Sequence, residues 1–185
     1  MTPLNPIIAQ RFSARAYDGS PISPEDLRSI LEAARWAPSS INEQPWAFVV
    51  APRQDAAAFE ALLHCLAENN QTWAKDAAVL MVCATATKFT QRDRVNRHAW
   101  HDMGLAVMSM CLQASSLGLQ ARPMGGIDAD KARALYQVPE THEITSALAI
   151  GRPGEVSDYL LKRSRKELAS FVFEGAWGQT AAVVR

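Results

Sequence analysis

Residues 37–46 read APSSINEQPW. Two hydroxyls, Ser39 and Ser40, and two carboxamides, Asn42 and Gln44, sit between Pro38 and Pro45. Prolines restrict the backbone at both ends of the loop. Side chains of these types both donate and accept hydrogen bonds, which a heteroaromatic ring with alternating carbonyls and ring nitrogens requires. The same residues also serve ordinary turns, and composition alone leaves both readings open.

On the N-terminal side, Ser23-Pro24-Glu25-Asp26 has the signature of a helix start. Ser23 can cap, Pro24 suits the first helical position, and the acidic residues face the positive helix end. Leu27, Ile30, Leu31 and Ala34 then recur at helical spacing as far as Trp36, and Pro38 closes the segment. Further upstream, residues 2–10 read as a short apolar helix. On the C-terminal side, Trp46 to Ala51 reads as a buried strand ended by Pro52. Trp36 and Trp46 are expected in the core.

The rest of the chain alternates. Residues 55–69 predict a helix with Phe59, Leu62, Leu63 and Leu66 on one face, and 78–84 a second apolar strand. Residues 98–117 predict the longest helix, with Gly118 placed to end it in the left-handed conformation. Apolar residues nearly encircle that helix, so it belongs in the core or at a large interface. Gln120–Met124 is extended, Gly125-Gly126 follows, and Asp128 can cap a further helix. Residues 144–150 predict a third strand, and Gly151-Arg152-Pro153-Gly154 a turn. Residues 155–185 show little periodicity, as expected of a C-terminal arm that packs on another subunit. Strands alternating with helices indicate an α/β or α+β architecture, in a single domain spanning 1–185.

Nineteen basic and nineteen acidic side chains cancel. No field of one sign is available for nucleic acid or an anionic membrane surface, so a bound anion must be held by a local cluster. Cys65, Cys83 and Cys111 are odd in number and far apart, which points to buried, reduced thiols. The N-terminal residues lack the pattern of a secretory signal, and a cytoplasmic location is expected.

Two further constellations carry possible chemistry. Arg11-Phe12-Ser13-Ala14-Arg15 places two guanidinium forks around a hydroxyl, as a phosphate site requires. Taken alone, a solvated basic face at a helix end is the better reading. His98-x-x-His101-Asp102 shares one helical face and suggests a metal, but no third ligand stands at diagnostic spacing. Polar residues at a helix start are the better reading, and no metal ligand is assigned.

The order of these segments decides between the alternatives. Arg11 and Ser13, followed by Pro-Ser-Ser-x-Asn-x-Gln-Pro-Trp, resemble the nitroreductase family. So do Ser23-Pro-Glu-Asp-Leu, the Asn70-Gln71 pair, Leu117-Gly118-Leu119, Pro123-Met-Gly-Gly-Ile127, Ile150-Gly151-Arg152-Pro153 and Arg163-Ser164-Arg165. The resemblance weakens after about Phe171.

This resemblance implies an α+β, nitroreductase-like fold with a central mixed sheet flanked by helices. It also implies a homodimer with FMN at the subunit interface. By the same resemblance, Arg11, Ser13, Arg163 and Arg165 would hold the FMN phosphate, with Phe12 adding backbone contacts. Arg15 would lie near the pyrimidine edge of the ring, where it would stabilise the reduced flavin. Pro38, Ser39, Ser40, Asn42 and Gln44 would reach the flavin of the other subunit. Asn70 would contact the ribityl chain or ring edge. Met124, Gly125 and Gly126 would bring backbone close to the reactive ring nitrogen, with the glycines leaving room for hydride transfer.

The implied activity is electron transfer from NADH or NADPH to a small organic acceptor, a nitroaromatic, quinone or similar, with ping-pong kinetics. No protein acid, base or nucleophile is required, so no catalytic residue is named. No G-x-G-x-x-G motif follows a strand, in keeping with one flavin face serving donor and acceptor in turn. The chain lacks the long insertion of larger family members, which leaves the compact stretch Thr87–Arg97 as the expected determinant of acceptor choice. Trp73, Trp100 and Trp177 are candidates for the acceptor pocket or the interface. Two rival functions are an FMN-sequestering or redox-sensing protein and a metal-dependent hydrolase built on His98, His101 and Asp102.

Overall fold

The structure, a computed structural model, describes residues 3–92, 94–155 and 163–184. Its helices are α1 (Pro6–Gln10), α2 (Pro24–Arg35), α3 (Ala56–Leu63), α4 (Glu68–Ala74), α5 (Ala99–Ser116) and α6 (Ala129–Tyr136). Its strands are β1 (Trp46–Pro52), β2 (Val79–Ala86), β3 (Gln120–Met124) and β4 (His142–Gly151). The predicted caps form. The Ser23 side chain accepts from the Asp26 N–H at 3.0 Å, and Asp128 accepts from Lys131 N–H at 3.0 Å. Gly118 ends α5 with φ 72, and the next amide, Leu119 N–H, donates back to Ala114 O at 2.9 Å.

The four strands form one sheet in the order β1-β2-β4-β3. β2 lies inside it and is buried on both faces, which is why it reads as an unbroken apolar run. Its side chains alternate between two cores. Val79, Met81 and Cys83 join Leu148 and Ile150 under α2 and α5, in a cluster that includes Ile30, Met103 and Met110. Leu80, Val82 and Ala84 face Phe59, Leu62 and Leu63 of α3 and Ala132 of α6. Each of the large side chains so buried contributes roughly 1.5–3 kcal/mol relative to exposure. The result is a sheet with helices on both faces, the α+β architecture expected.

Three details differ from expectation. Every strand pairing among the described residues is antiparallel, so the sheet is not mixed in strand direction. β2 and β3 run parallel, joined by the crossover α5, but β4 inserts between them antiparallel to both. The helix expected over 55–69 is two helices, α3 and α4. The chain breaks between them because Leu66 forms a bridge with Ile127 and Ala67 N–H donates to Gly126 O at 2.9 Å, long-range bonds that no local signal announces. Trp36, expected in the core, is 76% exposed. It lies one residue past α2, where its Nε1–H donates to Glu32 and Arg35 covers its ring at 5.6 Å. Trp46 is half-buried and packs against the core under α5.

In the C-terminal arm, residues 156–162 lie outside the described residues. Residues 163–184 contain two 3-10 turns, Leu168–Ser170 and Ala182–Val184, and a bridge between Phe173 and Thr180. Trp177 is 92% exposed and Phe171 55%. Cys65, Cys83 and Cys111 are all buried and free. None of the described helices is long and apolar enough to cross a membrane.

Candidate functional site

α1 is short, and the chain leaves it into the extended segment 11–15, which is held in place from two directions. From below, alternate residues of β3 reach up: Gln120 Oε1 accepts from Phe12 N–H at 3.0 Å, and Arg122 Nη1 donates to Ser13 O at 2.9 Å. From the C-terminal arm, Arg163 donates to Ala9 O at 2.6 Å and to Arg11 O. Within the segment Arg11 Nη1 donates weakly to Ser13 Oγ at 3.5 Å.

This arrangement opens a groove of about 1060 Å³. Its walls are Leu4 and Ile8 beside α1, one face of α5 (Trp100, Met103, Gly104, Val107, Met108, Cys111), Pro123 of β3 and Thr145 and Ser146 of β4. Its rim carries Arg11, Ser13, Arg163 and Arg165. These four residues, separated by some 150 positions of sequence, are thus brought together. No acidic side chain lines the groove among the described residues, so its charge is uncompensated. Cys111 faces this cavity with its thiol pushed up to about 11 by burial, partly offset by Arg11.

The turn after β3 follows Pro123, which lines the groove, but Met124, Gly125, Gly126 and Asn70 do not line it themselves. Met124 is buried, whereas Gly125 is exposed and a side chain there would meet nothing within 4 Å. Gly126 answers a different demand. A Cβ at Gly126 would lie 2.7 Å from Asn70 Nδ2 and 3.2 Å from the Ala67 Cβ. Asn70, on α4, donates to Gly126 O at 3.1 Å. Asn70 therefore anchors the turn, and Gly126 lets α4 approach.

Residues 38–44 stand elsewhere, and none of them lines the groove. Ser40–Asn42 forms a 3-10 turn, and Ile41, Asn42 and Gln44 all have positive φ (49, 59 and 51). Left-handed backbone at non-glycine residues costs of order 1 kcal/mol each and persists only when surroundings impose it. Here Ser39 Oγ accepts from Gln44 N–H at 2.9 Å, the buried Asp102 Oδ2 accepts from Ser40 N–H at 3.0 Å, and Glu43 Oε1 accepts from Thr90 N–H at 2.6 Å. Pro38, Ile41, Asn42 and Gln44 are left exposed on this rigid loop. Beside it is a second cavity of about 520 Å³ lined by Ser40, Phe89, Arg94, Val95, Arg97 and His98.

Asp102 is thereby assigned a structural part. His101 Nδ1 lies 3.2 Å from its Oδ1, and His98 stands at the N-cap of α5. No group of three or more His, Cys, Asp or Glu side chains able to hold a metal ion occurs among the described residues. Of the three tryptophans considered for the pocket, Trp100 lines the groove, its Nε1–H donating to Glu143 at 2.8 Å. Trp73 packs instead against the opposite core, and Trp177 is 92% exposed, its ring tilted against Phe173 at 5.1 Å between centroids.

Arg15 is exposed and does not line the groove. It lies close enough to Arg122 to disfavour that residue's charge, a smaller effect than burial itself. Arg122, whose guanidinium stacks over Trp73 at 4.9 Å, is a residue that sequence reasoning passed over. The available signal was a lone charged residue in the short strand Gln-Ala-Arg-Pro-Met.

Fold and groove together define an α+β protein with a cation-rimmed cavity on the open side of its long helix. The nitroreductase family model matches residues 8–152, and the chain belongs to that family. The crystal structure of an FMN-containing oxidoreductase is similar, with a TM-score of 0.88 and 34% identity, covering 96% of this chain and 94% of that one. A Desulfovibrio desulfuricans protein solved in complex with FMN has a TM-score of 0.75 at 28% identity, over 95% of this chain and 99% of that one. An NADH dehydrogenase of Thermus thermophilus is 29% identical over 179 residues, 79% of this chain and 84% of the relative.

Proposed function

We propose that this protein is an FMN-dependent oxidoreductase that passes electrons from NADH or NADPH to a small organic acceptor, working as a homodimer. The observation that supports this most directly is the convergence of Arg11, Ser13, Arg163 and Arg165 on one groove with no acidic side chain among its described lining residues. FMN fits these residues: its phosphate supplies the missing negative charge, and the apolar wall of α5 suits a flat ring. Bound there, FMN would supply two-electron chemistry, accepting a hydride from the nicotinamide and returning the electrons to the acceptor.

The chain's own residues bind, orient and shield. Arg11 and Arg165 hold the phosphate by charge-assisted hydrogen bonds, which are stronger than neutral ones. Arg163 does so while tying the C-terminal arm to Ala9 and Arg11. Phe12 is set by Gln120, and Asn70 fixes the Met124–Gly126 turn against the ring. The strained loop carrying Pro38, Ser39, Ser40, Asn42 and Gln44 does not line its own groove and would serve the groove of the second subunit. The exposed apolar residues Leu4, Ile8 and Met108 around the groove, and Trp177 on the arm, are surface a partner would cover. The cavity lined by Phe89, Arg94, Val95 and Arg97, beside that loop, supports the reading that residues 87–97, of which residue 93 lies outside the described residues, select the acceptor. One site serving donor and acceptor in turn gives ping-pong kinetics.

The test is the visible spectrum of the purified protein, with identification of any chromophore released on denaturation. A yellow protein that releases FMN, is bleached by NADH or NADPH without oxygen and regains colour with a nitroaromatic or quinone is expected. A colourless protein that takes up no added FMN overturns the reading. One that binds FMN but shows no steady-state NAD(P)H oxidation with any acceptor is a flavin-sequestering protein instead.

A further inference from the structure

The segment that leads from β2 into α5 folds back on itself. Asn96 N–H donates to Thr87 O at 2.8 Å, Phe89 N–H donates to Arg94 O at 3.1 Å, and Lys88 forms a bridge with Val95. Phe89 is buried, and the Arg94 guanidinium stands over its ring at 4.8 Å. Such stacking orients a cation without neutralising it. Asn96 is buried too, and its Oδ1 accepts from the His98 N–H at 3.0 Å, which fixes the entry to α5. Arg94, Arg97 and His98 are left exposed along the cavity of about 520 Å³.

These side chains are not used by the fold. Among the described residues Arg94 and Arg97 pair with no carboxylate. By contrast, Arg35 is held by Glu32, and Arg133 is spent on the carbonyls of Val138 and His142. No acidic side chain lines the cavity among its described lining residues. The carboxylates beside it are engaged elsewhere: Glu43 accepts from Thr90 N–H, and Asp102 accepts from Ser40 N–H with His101 Nδ1 at 3.2 Å. The volume lies within the range of roughly 300–1,000 Å³ usual for small-molecule sites. The cavity also adjoins the larger groove, since His98 lines the one and Trp100 the other. Two helical residues lie about 3 Å apart along the axis, so both spaces flank the start of α5.

We propose that Arg94, Arg97 and His98 bind an anionic group, a carboxylate or phosphate, on a molecule that exchanges electrons with the flavin, and so select charged substrates over neutral ones of the same shape. This deepens, and rests on, the reading that residues 87–97 select the substrate of an FMN enzyme. A guanidinium fork takes two oxygens of a carboxylate or phosphate, and the imidazole and the Ser40 hydroxyl add donors. Because both arginines are exposed, each is worth about two- to fivefold and the pair about tenfold. Two sources share this chemistry: a carboxylate on the acceptor, and the 2′-phosphate that NADPH has and NADH lacks.

The test compares the purified holoenzyme with its Arg94→Gln/Arg97→Gln variant. Values of kcat/KM are measured for 4-nitrobenzoate against nitrobenzene and for NADPH against NADH. Binding without turnover is followed in the backbone amide shifts of the oxidised protein, titrated with benzoate, benzamide and adenosine 2′-phosphate. The wild type should prefer the charged member of at least one pair. The variant should lose that preference about tenfold, with the neutral member unaffected, and the amides of residues 94–98 should respond to the matching anion in the wild type alone. A loss confined to 4-nitrobenzoate assigns the anion to the acceptor, and one confined to NADPH assigns it to the donor. Unchanged ratios for both pairs overturn the proposal, as does an equal fall for charged and neutral members, which would mean that the segment matters only as structure. A protein that takes up no FMN removes the parent reading instead, and the amide titration then still decides whether the anion site exists.

Discussion

The backbone N–H of Ser40 donates to Oδ2 of Asp102 at 3.0 Å, across 62 residues of sequence. One end of this bond is a loop with three non-glycine residues at positive φ, and the other is the first turn of the longest helix. The carboxylate is 2% exposed, so water cannot replace it. Asp102→Ala should therefore cost about 1–3 kcal/mol, the usual penalty for orphaning a buried group. Asp102→Asn, which keeps an acceptor, should cost less. Urea unfolding of the two variants checks this, and equal stabilities would show that Ser40 does not depend on the carboxylate.

Removing one phosphate cation should separate binding from folding. Arg11→Ala and Arg165→Ala are expected to weaken FMN about tenfold or more, as for loss of a charge-assisted bond of roughly 1.5–3 kcal/mol. The melting temperature of their apoproteins should hardly move. Arg163→Ala should do more, because it also frees Ala9 O and Arg11 O. Faster amide exchange at residues 9–13 in that variant alone is the expected signature. Wild-type FMN affinity in all three would remove the phosphate assignment.

The two adjacent glycines should respond differently to alanine. Gly125→Ala meets open space and should leave stability unchanged. Gly126→Ala drives a Cβ to within 2.7 Å of Asn70 Nδ2, which must give up its bond to Gly126 O. A loss of about 1–3 kcal/mol is expected, as for other overpacked sites. An Asn70→Ala background should relieve part of that loss, whereas additive penalties would contradict the geometry.

Alkaline pH should destabilise the fold through its thiols. Burial raises Cys83 from 9.0 to about 12 and Cys111 from 9.0 to about 11. Above pH 9 the unfolded chain loses these protons while the folded chain keeps them, so stability falls as pH rises. Their contribution is fully present below pH 9 and is lost between 9 and 11 for Cys111 and between 9 and 12 for Cys83. A Cys83→Ala/Cys111→Ala variant should show a shallower fall over that window. In the native state neither thiol should react with a water-soluble disulfide reagent at neutral pH, and both should after unfolding.

Trp177 is 92% exposed, so Trp177→Ser should cost a monomer little. If the arm packs on a second subunit, that change removes a large apolar contact from the interface. Sedimentation should then show the wild type at about twice the 20.3 kDa of the chain and the variant shifted toward monomer at low concentration. A wild-type monomer that binds FMN tightly would refute the dimer.

Much of the fold was legible because its determinants are local. Ser23 and Asp128 cap the helices they precede, Gly118 ends α5, and the unbroken apolar run of β2 announced a strand buried on both faces. The same holds for the pairing of Arg11 with Ser13, two residues apart, and for the family resemblance carried by residues 37–46. Trp36 misled because its size suggests burial, whereas its place just beyond the helix end turned it to solvent against Glu32 and Arg35.

By itself, then, the amino-acid sequence determined most of the elements, the caps at Ser23, Asp128 and Gly118, and, through motif order, the family and with it the α+β class, since propensity, periodicity and motifs act over a few residues at a time. Only the tertiary structure decided that β4 splits β2 from β3, that the chain breaks at Leu66, and that Arg163 meets Arg11 across 152 positions. It alone placed Arg122 beside Arg15, neither paired with a carboxylate among the described residues. Those outcomes depend on which distant backbone groups find partners and which charges do not. No local pattern encodes that, because the partners become neighbours only when the sheet has formed.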